Sequence, residues 1–232
     1  MGFEFSRLPH YLIQYAVLVF SLTVHECAHA WTAYKLGDPT AKLKGRITLN
    51  PLVHLDPIGS VIFPILAIFM GIPVIGWANP VPVNPMNLRN PRRDHAIVAA
   101  LGPGSNMMYA LGFALLAHLF IAIGGGYSPL NDGVQRYNTV IQPILFILIY
   151  GVLINLILAL FNMIPVPPLD GSWILEGLVP ESAAQKLAAI RPYGFLILLV
   201  LFYTGIFSYF LMPFLGLFYS VIFRLPAFRW MF

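Results

Sequence analysis

Long apolar runs alternate with short, proline-marked polar breaks along most of the chain. The first run, from Pro9 to Leu36, spans about 28 residues and stops at Gly37-Asp38-Pro39. At about 1.5 Å per residue it is long enough to cross a bilayer as a helix. Lys42 to Leu49 has a different period. Lys42, Lys44, Arg46 and Thr48 share one face and Leu43, Ile47 and Leu49 the other, which predicts a half-buried strand at the membrane surface. Asp56-Pro57 reads as an N-cap and first helical position, leading into residues 57–77, an apolar stretch broken by Pro64, Gly71 and Pro73. Trp77 to Pro85 is extended, an edge strand or loop.

Asp94 is placed to cap a helix from His95 to about Ile123, interrupted at Gly102-Pro103-Gly104 and followed by a polar loop at 125–138. Another apolar helix covers about Thr139 to Phe161 and breaks at Asn162-Met163-Ile164-Pro165-Val166-Pro167-Pro168-Leu169-Asp170-Gly171. A mixed segment reaches Pro192, then apolar runs cover about 193–211 and 213–223. There is no internal repeat and no low-complexity tract.

Composition turns this pattern into a membrane protein. Of 232 residues 59% are hydrophobic and only 9% charged, with mean hydropathy +0.79. A soluble domain carries about a quarter charged residues, so too little polar surface exists here to face water. The expected fold is an all-α polytopic membrane protein. It has about five to six membrane helices, a re-entrant segment and a short β ribbon at the cytoplasmic interface. One membrane-embedded domain covers 1–232, with the motif-bearing core at about 9–175 and C-terminal membrane helices at about 190–225. The net charge of +4 needs no nucleic-acid partner. The lone Cys27 excludes an intrachain disulfide and lies roughly 200° round the helix from His25, a packing position rather than a ligand one. The first apolar run carries the candidate chemistry, so no cleavable signal is expected. Met1 to Ser6 fits a myristoylation pattern, but the topology puts that end away from the cytoplasm.

Charge chooses between two topologies. If 57–77 crosses the bilayer, Arg89, Arg92 and Arg93 lie opposite Lys42, Lys44 and Arg46. If it dips in and returns, 11 of the 13 basic residues share one side, with only Arg7 and Arg136 across. The positive-inside rule prefers the second and makes the basic side cytoplasmic. It also brings the end of the first helix and Asp170 to the same half of the bilayer.

The candidate chemistry is His25-Glu26-Cys27-Ala28-His29. Residues four apart share a helix face, so His25 and His29 can offer two imidazoles to one metal, with Glu26 beside them to take a proton from water. Ionisable groups at bilayer depth are costly, about 2.5 kcal/mol or more each, and call for partners. A catalytic zinc takes three protein ligands. Asp170 directly follows an apolar span; it either caps a helix starting near Gly171 or supplies the third ligand, and the His pair favours the ligand.

His25 to His29, together with Asn162 to Gly171, resembles the site-2 protease family of intramembrane zinc metalloproteases. Gly102-Pro103-Gly104-Ser105-Asn106 is similar to that family's GxxxN motif, and Gly45 to Pro57 and Trp77 to Pro85 resemble its compact members. The resemblance covers roughly residues 15–175, with no PDZ or CBS domain expected. It implies that His25, His29 and Asp170 bind one Zn2+ per chain, that Glu26 activates water, and that Asn106 and Asn162 lie close to the substrate. Either amide has the chemistry of an oxyanion donor. It further implies a lipid-embedded endopeptidase cutting single-pass transmembrane proteins, and the charge split above puts its site in the cytoplasmic half of the cell membrane.

A scissile bond must be unwound, and the 42–49 strand or the Trp77–Pro85 segment could pair with it by strand addition, or be an ordinary interfacial ribbon. Asn155, two turns before Asn162, suits interhelical hydrogen bonding. His54 suits a structural role, with coordination as the other reading; His10, His95 and His118 read as interfacial or packing residues. A membrane metal-ion transporter is the alternative function. It requires several intramembrane ligand clusters along a path, where one is visible.

Overall fold

The computed structural model describes residues 5–72, 74, 76–123, 135–206, 209 and 212–217. The first apolar run forms α1 (Leu8–Lys35), followed by one turn of helix, α2 (Thr40–Leu43). A π-helical turn (Pro57–Ile62) opens into α3 (Phe63–Met70). Then come α4 (Pro91–Ile123), α5 (Gln135–Asn162), α6 (Asp170–Leu178), α7 (Glu181–Ile190) and α8 (Gly194–Tyr203).

Four stretches are long and apolar enough to cross a membrane: Leu8–Lys35, Pro91–Phe120, Gln142–Asn162 and Glu181–Tyr203. The protein is thus an integral multi-pass membrane protein. Five to six spans were expected; the described residues provide four, with Pro57–Met70 as a shorter apolar piece. The second C-terminal run at 213–223 and the loop at 125–138 lie largely outside the described residues.

Helices α1, α4 and α5 form the core. Small residues of α4 (Ala110, Ala114, Ala117) pack against Leu145, Leu148, Ile149, Val152 and Leu156 of α5. Small side chains let the helices approach closely, which is how helices associate where lipid removes most of the hydrophobic drive. The Arg89 N–H donates to the Leu36 carbonyl at 3.3 Å, so α4 starts where α1 ends and runs back beside it. Helix α5 reverses again and finishes at the motif end of α1.

Residues 57–77 return to their starting point. Leu55 and Ala78 form an antiparallel bridge, the Asn79 N–H donates to the His54 carbonyl at 2.8 Å, and the Trp77 N–H donates to Gly59 at 3.2 Å. The dip packs on α1, where Val74 and Ala78 join Tyr11, Leu18 and Leu22, and the Tyr15 hydroxyl donates to the Ser60 carbonyl. Asp56 caps its entry by accepting from the Ile58 and Gly59 N–H groups.

Three local expectations need correction. Residues 42–49 are not a strand, and no strand occurs among the described residues beyond that single bridge. Asp38 caps Thr40 and starts a helical turn there, and Gly45, at φ +67°, turns the chain before a second strand residue can align. Arg46 also faces inward rather than out, donating to the carbonyls of Val53, Asn79 and Pro80. Those bonds convert the expected ribbon into a strap, residues 77–87, pinned from below. Second, Gly102-Pro103-Gly104 does not interrupt α4, because Pro103 removes a single rung of the ladder within a helix held on both sides by packing. Third, α4 starts at Pro91, and Asp94 accepts from the Asn90 N–H from inside the first turn.

Candidate metal centre

Helix α1 carries His25, Glu26 and His29 into the buried middle of the bundle. Asp170 arrives from the other end of the chain, on the turn after α5. That turn contains a cis Pro167–Pro168 bond and closes tightly: a Cβ on Gly171 would overlap the carbonyl oxygens of Met163 and Ile164. Asp170 begins α6, with Leu169 before it, and makes no capping bond. Its Oδ2 instead lies 3.2 Å from His25 Nε2 and 3.3 Å from His29 Nε2, and the two Nε2 atoms are 3.0 Å apart.

In neutral rings protonated at Nδ1 these three atoms are all acceptors. His29 Nδ1 lies 2.8 Å from the Val98 carbonyl, which can only accept, so Nδ1 carries a proton and, in the neutral ring a metal requires, Nε2 holds the lone pair. His25 Nδ1 lies 2.6 Å from Asn106 Oδ1, which assigns the same tautomer. Asp170 Oδ2 is buried with no hydrogen-bond donor. With both rings neutral, two imidazole lone pairs and a carboxylate oxygen converge on one point, the donor set of a cation site. Zinc about 2.0–2.2 Å from each tetrahedral ligand sets neighbouring ligands about 3.3 Å apart, close to the separations found. The wall opposite is bare by construction, since a Cβ on Gly102 would overlap the His29 ring at Nε2 and approach His25 Cε1 to 2.7 Å. The residues present therefore fit a single zinc ion, with His25, His29 and Asp170 as the one such group of three or more His, Cys, Asp or Glu ligands among the described residues.

Glu26 is buried beside His25, and its Oε2 accepts from the Val81 N–H at 2.7 Å. The strap thus touches the site through a backbone amide. Asp38 holds the same strap further on, accepting from the Asn84 N–H, the Asn87 amide, and the Thr40 N–H and hydroxyl. Burial opposes ionisation of Asp38, but the Thr40 hydroxyl, the Asn87 amide and the two backbone N–H groups outweigh it and hold the carboxyl below the ordinary carboxylate range.

The two asparagines separate. Asn106 is fully buried with both amide atoms committed, Oδ1 to His25 and Nδ2 to Asn155 Oδ1 at 2.8 Å. Asn162 is half-buried and donates to the Leu158 carbonyl one turn back. His54 is buried, with Nε2 on the Thr48 carbonyl. His95 packs on Trp173 and His10 on Phe146. Three partners escaped sequence reasoning: the Val98 carbonyl, the Val81 N–H and Ser21. The first two are backbone groups that no residue type announces. Ser21, one turn before His25 in an otherwise greasy helix, was a readable signal.

Comparison with known proteins agrees with this geometry. The model of peptidase family M50 matches residues 13–202. A Bacillus subtilis (strain 168) protein named "Putative zinc metalloprotease YwhC" is 39% identical over 215 residues, covering 92% of this chain and 89% of its own. A Mycolicibacterium smegmatis protein, "Putative zinc metalloprotease Rip2", is 29% identical over 200 residues, 86% of this chain and 70% of its own. No solved structure gives a significant match. With the family model spanning most of the chain, this multi-pass membrane protein belongs to peptidase family M50, the site-2 protease family of zinc metalloproteases.

Proposed function

We propose that the protein is an intramembrane zinc endopeptidase that hydrolyses a peptide bond within or near the transmembrane segment of a single-pass membrane protein. One observation carries the reading. Two imidazoles and a carboxylate meet in the buried interior of the bundle, next to a glutamate held in place by a backbone amide. His25, His29 and Asp170 would hold one zinc ion per chain. When bound, zinc lowers the pKa of water to about 7 and polarises the scissile carbonyl.

The protein's own groups do the rest. Glu26 takes the proton of the attacking water and passes it to the leaving amine, a transfer that needs a carboxylate fixed within hydrogen-bond reach. The Val81 N–H fixes it. Asn162, half-buried with one amide hydrogen on Leu158, can offer the other to the oxyanion. The extended strap at 77–85, proline-punctuated and adjacent to Glu26, suits an unwound substrate lying alongside. The basic residues crowd the end of the bundle where α1 ends and α4 starts, which supports a site in the cytoplasmic half of the cell membrane. A single ligand cluster among the described residues favours hydrolysis over a transport path.

The test compares the parent with Glu26→Gln in membranes against a panel of single-pass proteins. Cleavage by the parent and none by Glu26→Gln is the expected result. Equal cleavage by both would falsify the assignment.

A further inference from the structure

The two histidines fix their tautomers in different ways. His29 leans on a backbone carbonyl, which cannot turn over. His25 leans on the side-chain amide of Asn106, which can: a half-turn about its last bond would put Nδ2 where Oδ1 is. A flipped Asn106 would donate to His25 Nδ1, drive the ring proton to Nε2 and leave that nitrogen useless as a ligand.

We propose that Asn155 is a positioning residue that locks Asn106, and through it the metal-binding tautomer of His25. Asn155 Nδ2 donates to the Gly151 carbonyl and to Ser21 Oγ, both at 2.8 Å. A carbonyl can only accept, so Gly151 fixes which end of the Asn155 amide is nitrogen. Oδ1 must then face Asn106, where it accepts from Nδ2 at 2.8 Å. Asn106 Nδ2 also points at the Ser21 carbonyl, more weakly at 3.3 Å. Asn106 Oδ1 is left for His25 Nδ1. Polarity is thus passed from a peptide carbonyl of α5 through two amides to an imidazole on α1. Ser21, Asn106 and Asn155 are all 0% exposed, so no water competes for these bonds. Interhelical adhesion alone would need the contacts but not their direction.

The inference rests on the zinc reading, and the experiment separates the two. Zinc affinity of the purified full-length protein is measured by competition with a chelator of known strength. The variants are Asn155→Leu, Asn106→Asp and the two combined. Outer hydrogen-bond partners of metal-bound histidines are worth about 10–100-fold in affinity. Asn155→Leu should lose about tenfold, the low end, because the Ser21 carbonyl still gives Asn106 some direction. The carboxylate introduced by Asn106→Asp presents oxygen to His25 either way round, so the double variant should bind zinc as tightly as Asn106→Asp alone. Parent-like affinity in Asn155→Leu, or a further loss in the double variant, would overturn the proposal. A parent that does not bind zinc would overturn the zinc reading with it. Should Asn155→Leu fail to fold, ring nitrogen shifts of His25 in the chelated parent decide. Protonation at Nδ1 is expected, and protonation at Nε2 refutes the lock.

Discussion

Replacing Gly102 by alanine should remove zinc while leaving the bundle assembled. Ordinary contacts to a Cβ lie at 3.4–4.0 Å, whereas the added methyl carbon would sit inside the His29 ring's contact shell at both Cε1 and Nε2 and 2.7 Å from His25 Cε1. Both imidazoles must give way, that of His29 by about 1 Å, against a tolerance of about 0.2 Å in metal–ligand distance. Losing a ligand costs at least the roughly 100-fold that marks the upper end for its outer partners. Gly104 supplies the control. It lies two residues along the same helix with nothing within 4 Å of its Cβ position, so Gly104→Ala should keep zinc and gain roughly 0.5–1 kcal/mol from helix propensity. Gly102→Ala also puts a Cβ directly before Pro103, where it crowds the ring and disfavours helix. That penalty lowers stability equally with and without zinc, so the informative readout is zinc affinity by chelator competition, beside thermal unfolding of the chelated protein. Parent-like zinc affinity in Gly102→Ala would refute the geometry of the site.

Other substitutions probe the ligands and the strap. Asp170→Ala should leave purified protein with almost no zinc, while Glu26→Gln retains it; metal analysis showing full zinc in Asp170→Ala removes that residue from the site. Arg46→Lys should cost about 1.5–3 kcal/mol, the worth of a hydrogen bond to a charged group, since one ammonium cannot span the carbonyls of Val53, Asn79 and Pro80. Denaturant unfolding in micelles and protease cutting at 77–85 would show it, and unchanged values would count against the clamp. Asp38 sets a pH dependence. Its folded pKa is depressed, so its stabilisation is complete above the unfolded value near 4 and is lost as pH falls through the folded one. The stability gap between parent and Asp38→Ala should be full at pH 7 and close on acidification below about 4; a gap that widens there would contradict the sign.

The spans and the candidate ligand residues were legible because each rests on a strong local constraint. A greasy run of 28 residues can only be a membrane helix, and His25 and His29 four apart can only share a face. Basic-residue asymmetry was enough to expect that 57–77 turns back, and Leu55 does meet Ala78. Lys42 to Leu49 misled because alternation reports which side chains face apart, not which way is inward. Tertiary bonds from Arg46 decided that, and Leu43, assigned to the buried face, is 82% exposed. Pro103 misled because the usual cost of proline presumes a helix without lateral support. Asn106 was placed beside substrate by resemblance alone; that its amide turns inward depends on Asn155, 49 residues away, which spacing along one helix cannot disclose.

A carboxylate has two oxygens, and in Glu26 they have separate employment. Oε2 is a mooring, tied to the peptide nitrogen of Val81, which leaves Oε1 for the proton transfer proposed for Glu26. The proposed base therefore faces one way, and its aim depends on a stretch of main chain outside the helices that carry the candidate ligands. Shortening the side chain by one methylene, Glu26→Asp, forces it to abandon either the mooring or the reach. Whatever displaces Val81 slackens the same rope, so lifting the strap and unsettling the Glu26 carboxylate are a single mechanical event.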